Sequence, residues 1–306
     1  MVWMLGLGLG CNAGIEGGGP ELEPGTPAEQ LQRSCESGKA SDCRLLGGLY
    51  LIGNGVEADL DRAAWFYARA CTASDGEACA TLANLHHEGR ESIERDLGKA
   101  ADLYGQACDH GHVESCATLA RMHVEALGVP EDAARAVELL EKACEGGHGE
   151  SCSELASMYA LGARVPRSPA RSRRFAKQGC KAEHVPSCFQ LAERQILEGD
   201  DRDARSLLEA LAEKHAESDN IDHVVLYGLM VAAGEKPSRI GEPLLEAWKA
   251  SEQSDQSDWS WAALTDHLRD EKRKRAKESR IVIQLLGAPR SDGTESALRA
   301  ALEVPE

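Results

Sequence analysis

The chain has 306 residues, a formal net charge of −17 and an aromatic content of only 4%. This length exceeds one typical core, so the chain either divides into domains or grows as a stack of repeats. The excess of acid argues against a nucleic-acid-binding protein, because neutralising phosphates needs a basic surface. One basic stretch, residues 269–280, is a local exception, and it indicates either a solvated helix face or a contact to an anionic partner.

The N-terminus has the pattern of an export signal. Residues 1–10 are apolar and end in Leu9-Gly10 before Cys11, which is similar to the end of a bacterial lipoprotein signal. Residues 1–11 are therefore predicted to be a signal with its lipobox, and Cys11 to be the lipidated residue. A chance apolar start is the alternative. The run is too short to span a bilayer. The residues that follow, 12–27, are rich in Gly and Pro and predict a flexible linker.

The other ten cysteines form five C-x7-C pairs that start 36 or 37 residues apart. The pairs are Cys35 and Cys43, Cys71 and Cys79, Cys108 and Cys116, Cys144 and Cys152, and Cys180 and Cys188. This spacing predicts one disulfide within each pair. A metal site is the alternative, but it usually needs C-x2-4-C knuckles, which this sequence lacks. Persistent disulfides indicate the periplasm, the cell surface or an equivalent lumen.

Two helix patterns recur with the cysteines. A leucine three residues after the second cysteine and a larger residue at seven, as in Leu46 and Tyr50, lie on one helix face. Good N-cap residues stand twelve residues before the first cysteine of the later pairs: Asp59, Asp96, Asp132 and Ser168. A period near 36 with two amphipathic helices predicts an all-α solenoid of αα-hairpins over residues 28–216.

The segment Leu46-Gly47-x-x-Tyr50-x-x-Gly53, followed by Asp59-x-x-Arg62, resembles the Sel1-like repeat. With the added C-x7-C pairs, the chain is similar to the Helicobacter cysteine-rich proteins, a family of Sel1 repeats. The resemblance implies a right-handed, TPR-like superhelix. Residues 217–306 have no cysteine and no clear period. They are predicted to form divergent helices that continue the stack, because terminal repeats diverge.

The resemblance also implies an enzymatic alternative, which is weak penicillin binding or β-lactam hydrolysis. Serine enzymes of this chemistry use S-x-x-K, S-D-N and K-T-G motifs. Only Ser218-Asp219-Asn220 matches, and we interpret the match as chance, so no catalytic residue is predicted.

Histidines also recur, at His112, His148 and His184. Equivalent positions in adjacent hairpins are about 10 Å apart, too far to share one zinc ion. They therefore predict helix-start structure, with no metal and no cofactor.

Helical solenoids expose a concave surface lined by the first helix of each repeat. Asn84, Arg121, Ser157 and Glu193 follow the Leu-Ala step of successive repeats and vary in chemistry, so they are predicted to contact a protein or peptide; surface drift would give the same pattern. The sequence therefore predicts an extracytoplasmic lipoprotein that acts as a protein-interaction scaffold. It would touch the membrane only through its lipid and would bind no nucleic acid. An assembly factor of the mitochondrial intermembrane space is a third alternative.

Overall fold

The computed structural model describes residues 22–90, 92–215, 223–234, 245–246, 248–249, 280–282, 284–286 and 292–302. Within these residues the regular secondary structure is α-helical. The chain divides into two compact units, Met1–Asp96 and Leu97–Glu306.

The first unit contains four helices in its described part. They are α1 (Pro27–Glu36), α2 (Ala40–Ile52), α3 (Leu60–Thr72) and α4 (Gly76–Glu88). Helix α2 packs against both α1 and α3, and α3 packs against α4. The core between them consists of small and aliphatic residues, including Ala63, Ala70 and Leu46, which are fully buried. Small residues allow the helix axes to approach closely, as the low aromatic content requires.

The second unit continues the pattern. Its described helices are α5 (Leu97–Asp109), α6 (Val113–Glu125), α7 (Ala133–Glu145), α8 (Gly149–Leu161), α9 (Pro169–Lys181), α10 (Val185–Leu197), α11 (Asp201–Lys214), α12 (His223–Ala232) and α13 (Asp292–Leu302). Each helix from α5 to α12 packs against its neighbours in sequence, and α10 also contacts α8 and α12. The predicted all-α fold of stacked hairpins is confirmed within each unit.

The predicted N-caps begin their helices. The side chain of Asp59 accepts a hydrogen bond from the backbone N–H of Arg62 at 2.9 Å, and Asp132 does the same for Arg135 at 2.9 Å. Ser168 caps α9 in the same way. Each cap satisfies one of the backbone donors that a helix start leaves without a partner.

The arginine three residues after the cap has a second role, which the sequence pattern did not predict. The Arg62 guanidinium lies 5.4 Å from the ring centre of Tyr50, and Tyr50 stacks on Phe66 with ring centres 5.6 Å apart. Arg171 repeats this arrangement over Tyr159 at 5.2 Å. A cation over an aromatic face is attracted by the negative ring face. The same three-layer contact therefore holds α2 to α3 and α8 to α9.

All five C-x7-C pairs are joined as disulfides, with Cα–Cα distances from 4.5 to 4.8 Å. The bonds connect α1 to α2, α3 to α4, α5 to α6, α7 to α8, and α9 to α10. Of these ten cysteines all but Cys180 are buried. The prediction of one disulfide within each pair is confirmed. Each bond closes the turn between two antiparallel neighbours, which restricts the unfolded chain more than the folded one.

Successive disulfide turns lie very close together at α9. A Cβ added to Gly179 would lie 2.2 Å from Ser187 Oγ and 2.9 Å from the Cβ of Cys152. A Cβ on Gly149 would lie 2.3 Å from that of His184. Only glycine fits at these two positions, because the next turn occupies the space that a side chain would need.

The described segments beyond α11 share one core with the last repeat helices. Val225, Leu226 and Leu229 of α12 belong to the same buried cluster as Phe189 and Ile196 of α10. The cluster also takes in Leu208 of α11 and Leu298 of α13. Residues 223–232 were predicted to be helical, and α12 covers them. The domain boundary at residue 216 stays a prediction.

Candidate protein-binding groove

A groove with a volume of about 940 Å³ lies in the second unit, along one face of α6 and α8 and the start of α10. Its walls come from equivalent positions of successive repeats, counted from the second cysteine of each pair. At −2, +2 and +5 these are Glu114, Thr118 and Arg121 of α6; Glu150, Glu154 and Ser157 of α8; and Pro186 and Gln190 of α10. Steps of three and four residues keep such a row on one face of a helix.

This face is open because the other faces of the same helices are committed to packing. Cys116, Leu119 and Ala120 of α6 are buried, and so are the equivalent Cys152 and Leu155 of α8. The groove is therefore the surface that stacking of the hairpins leaves uncovered.

Gln190 ties α10 to α8 at the groove. Its side-chain Nε2 donates to the backbone oxygen of Ser153 at 3.3 Å and to Ser157 Oγ at 2.9 Å. Its Oε1 is buried and accepts no hydrogen bond within the described residues. A buried acceptor without a donor costs roughly 1–3 kcal/mol. The groove wall therefore carries an acceptor whose demand a ligand donor can meet.

The groove is acidic. It is lined by the carboxylates of Glu114, Glu125, Glu150 and Glu154, against the single guanidinium of Arg121 and the imidazole of His148. Desolvation raises the pKa of Glu154, although Arg164 and Arg121 attract its charge.

The recurring histidines begin helices. The Nδ1 atoms of His112 and His148 accept the backbone N–H of the serine three residues on, each at 3.3 Å. The same nitrogens lie 2.9 Å from the serine hydroxyls, and His184 Nδ1 lies 2.9 Å from that of Ser187. The predicted helix-start role is confirmed. Because these serines are buried, the pairs are caps with no accessible nucleophile. Burial also lowers the pKa of His184.

In the described part of the chain, no three side chains of His, Cys, Asp or Glu are grouped so that they could hold a metal ion.

The four residues predicted to bind a partner fall in different places. Arg121 and Ser157 both line the groove. Glu193 lies on α10 at the equivalent position but is largely enclosed, and desolvation raises its pKa to about 7. Asn84 is exposed on α4 of the first unit. The prediction missed Glu154 and Gln190, although the helical period predicts that the +2 position shares a face with +5.

Several sequence predictions fall outside the described residues. They concern the lipidation of Cys11, the tripeptide Ser218-Asp219-Asn220 and the basic stretch 269–280. None of the described helices has both the length and the apolar character needed to cross a bilayer.

The Sel1 repeat family matches this chain four times in succession, at residues 40–75, 76–112, 113–148 and 149–184. Each matched repeat begins at or close to the first helix of a hairpin, so the disulfides from Cys71 to Cys188 cross the boundaries between consecutive repeats.

Solved structures show the same kind of fold. The protective antigen c5321 of uropathogenic Escherichia coli, which displays an SLR fold, is 21% identical with a TM-score of 0.52; the match covers 91% of this chain and 64% of that one. A Sel1 repeat protein from Oxalobacter formigenes is 20% identical over 54% of this chain and 67% of that one, with a TM-score of 0.47. Cysteine rich protein B of Helicobacter pylori is 25% identical over 43% of this chain and 98% of that one, with a TM-score of 0.34.

This chain spans about two thirds of the length of the first two of these proteins. No curated protein matches it. The four family matches and the stacked hairpins agree in register. The chain therefore carries four consecutive Sel1 repeats and is a Sel1 repeat protein.

Proposed function

We propose that this protein acts outside the cytosol as a protein-interaction scaffold, and that a segment of the partner lies in the groove of α6, α8 and α10. The observation that carries the proposal is a surface built from equivalent positions of three successive repeats, which hairpin packing leaves open. Repeat proteins use such continuous surfaces to bind extended segments of other proteins.

The groove is held in place before any partner arrives. Disulfides fix the starts of α6, α8 and α10 to the helices before them. Gln190 adds a hydrogen-bonded link between α8 and α10. A preformed surface loses little conformational entropy on binding, so more of the contact energy appears as affinity.

Location outside the cytosol is supported by the five disulfides, because reducing agents of the cytosol keep protein thiols reduced. We further propose that Cys11 is lipidated and anchors the chain. Palmitate labelling of the protein in a bacterial host is expected to mark wild type and to fail with Cys11→Ser. Labelling of both, or of neither, would contradict the anchor without touching the groove.

The groove is tested by photo-crosslinking in intact cells. A photoreactive amino acid at Arg121 or Glu154 is expected to capture one partner protein reproducibly. The matched controls are Ala134 and Glu145, which are exposed on α7 and do not line the groove. Equal capture from the control positions, or no capture from the groove, would overturn the proposal.

The β-lactam alternative depends on family resemblance alone, and no contact among the described residues favours it. A nitrocefin assay on the oxidised protein is expected to show no turnover above that of buffer.

A further inference from the structure

We infer that the groove of α6, α8 and α10 takes an extended segment bearing lysine or arginine side chains. The inference rests on the proposed function and adds the chemistry of the partner.

The charges of the groove select the sign of the ligand. Glu150 and Glu154 stand four residues apart on α8, so their carboxylates follow one another along the same helix face. Glu114 lies on α6 at the position equivalent to Glu150. A cationic segment meets attraction from these carboxylates, whereas an anionic segment meets repulsion.

Arg121 is the one guanidinium on the groove wall. Its charge is already attracted to the Glu154 carboxylate, as the pKa of that group shows. Arg121 therefore competes with a cationic ligand for Glu154. Removing its charge is expected to tighten binding, which is the opposite of what an anionic ligand would show.

Two further features favour a polypeptide over a small cation. Gln190 Oε1 is a buried acceptor without a hydrogen-bond donor among the described residues, and a peptide N–H or a guanidinium supplies one. At the far end of the groove Leu161 is 77% exposed, which is unusual for a leucine on a packed helix and suits an apolar side chain of the ligand.

The spacing of the repeats suggests a probe. Equivalent positions on adjacent packed helices are about 10 Å apart. A polyproline II segment advances about 9 Å per turn of three residues, so every third side chain returns to the same face. A fluorescein-labelled (Lys-Pro-Pro)5 peptide can therefore present one lysine to each repeat, and (Glu-Pro-Pro)5 is the matched peptide of opposite charge.

The experiment is fluorescence anisotropy on the full oxidised chain. The lysine peptide is expected to bind saturably and the glutamate peptide not to bind. The double variant Glu150→Gln/Glu154→Gln is expected to weaken the lysine peptide by about threefold to tenfold, as for solvent-exposed ion pairs. Arg121→Gln is expected to strengthen it.

The control variant is Glu131→Gln/Glu145→Gln, which removes two exposed carboxylates outside the groove. If it weakens the peptide as much as the groove variant does, the attraction comes from the net charge of −17 and the inference is overturned. Absence of lysine-peptide binding overturns it too. If Arg121 nevertheless cross-links a partner in cells, the proposed scaffold function stands and only its ligand chemistry is wrong.

Discussion

The carboxyl group of Glu193 gives the sharpest stability prediction. It lies on α10, where desolvation raises its pKa from 4.5 to about 7 in spite of the attraction of Arg194. The folded state therefore binds its proton more tightly than the unfolded state does. Stability from this group is fully present below pH 4.5 and is lost as the pH rises through 7. Glu193→Gln keeps the size and the polarity of the side chain but removes its charge.

The size of the effect follows from the two pKa values. Each tenfold difference in proton affinity corresponds to about 1.4 kcal/mol, so the ionised carboxylate costs at most about 3 kcal/mol of folding free energy. Because the side chain is only partly enclosed, we expect Glu193→Gln to gain about 1–3 kcal/mol at pH 8 and close to nothing at pH 4.5.

Guanidinium unfolding of the oxidised protein at pH 4.5, 6 and 8 measures this difference. The exposed Glu145→Gln serves as control and is expected to change little at any pH. Other titrating groups, His184 among them, are common to wild type and variant and cancel in the comparison. A gain that is equal at pH 4.5 and pH 8 would refute the reasoning, since it could not come from ionisation.

Three other changes test the fold. Replacing Cys144 and Cys152 together by serine opens a nine-residue loop and is expected to cost about 3 kcal/mol, seen as a lower unfolding midpoint; an unchanged midpoint would contradict the stabilising role of the disulfide. Gly179→Ala is expected to cost about 1–3 kcal/mol, because its methyl group would lie 2.2 Å from a side-chain oxygen. Its matched control is Gly105→Ala on α5, where the nearest atom is at an ordinary 3.7 Å, so equal losses in thermal scans would argue against the close contact. Burial lowers the pKa of His184, so this group is expected to destabilise the fold as the pH falls from 6.5 through its folded value. His184→Asn should flatten that part of the stability profile, and an unaltered acid limb would count against it.

The features that could be predicted from the sequence are those that depend on neighbours along the chain. Asp59 and Asp132 cap helices through contacts three residues away. Each disulfide closes a loop of fixed length, so its partner could be identified from the spacing alone.

The groove could be predicted only in part, because it depends on contacts between repeats. The helical period points to Arg121 and Ser157, but the role of Gln190 depends on two atoms of the preceding repeat helix. Glu193 occupies the same repeat position as Arg121, yet α10 packs against α11 and α12 as well as α8 and α9. More of its surface is therefore covered, and nothing in the motif itself announces this.

The central claim is that the stacked hairpins are covalently closed, each on the next, in an oxidising compartment. Peptide mapping of protein taken from its native cells, alkylated before lysis and digested without reductant, tests it most directly. The account predicts five cross-linked peptides, each joining the two cysteines of one C-x7-C pair, with none of these ten thiols alkylated. Alkylated thiols, or bonds between different pairs, would contradict it.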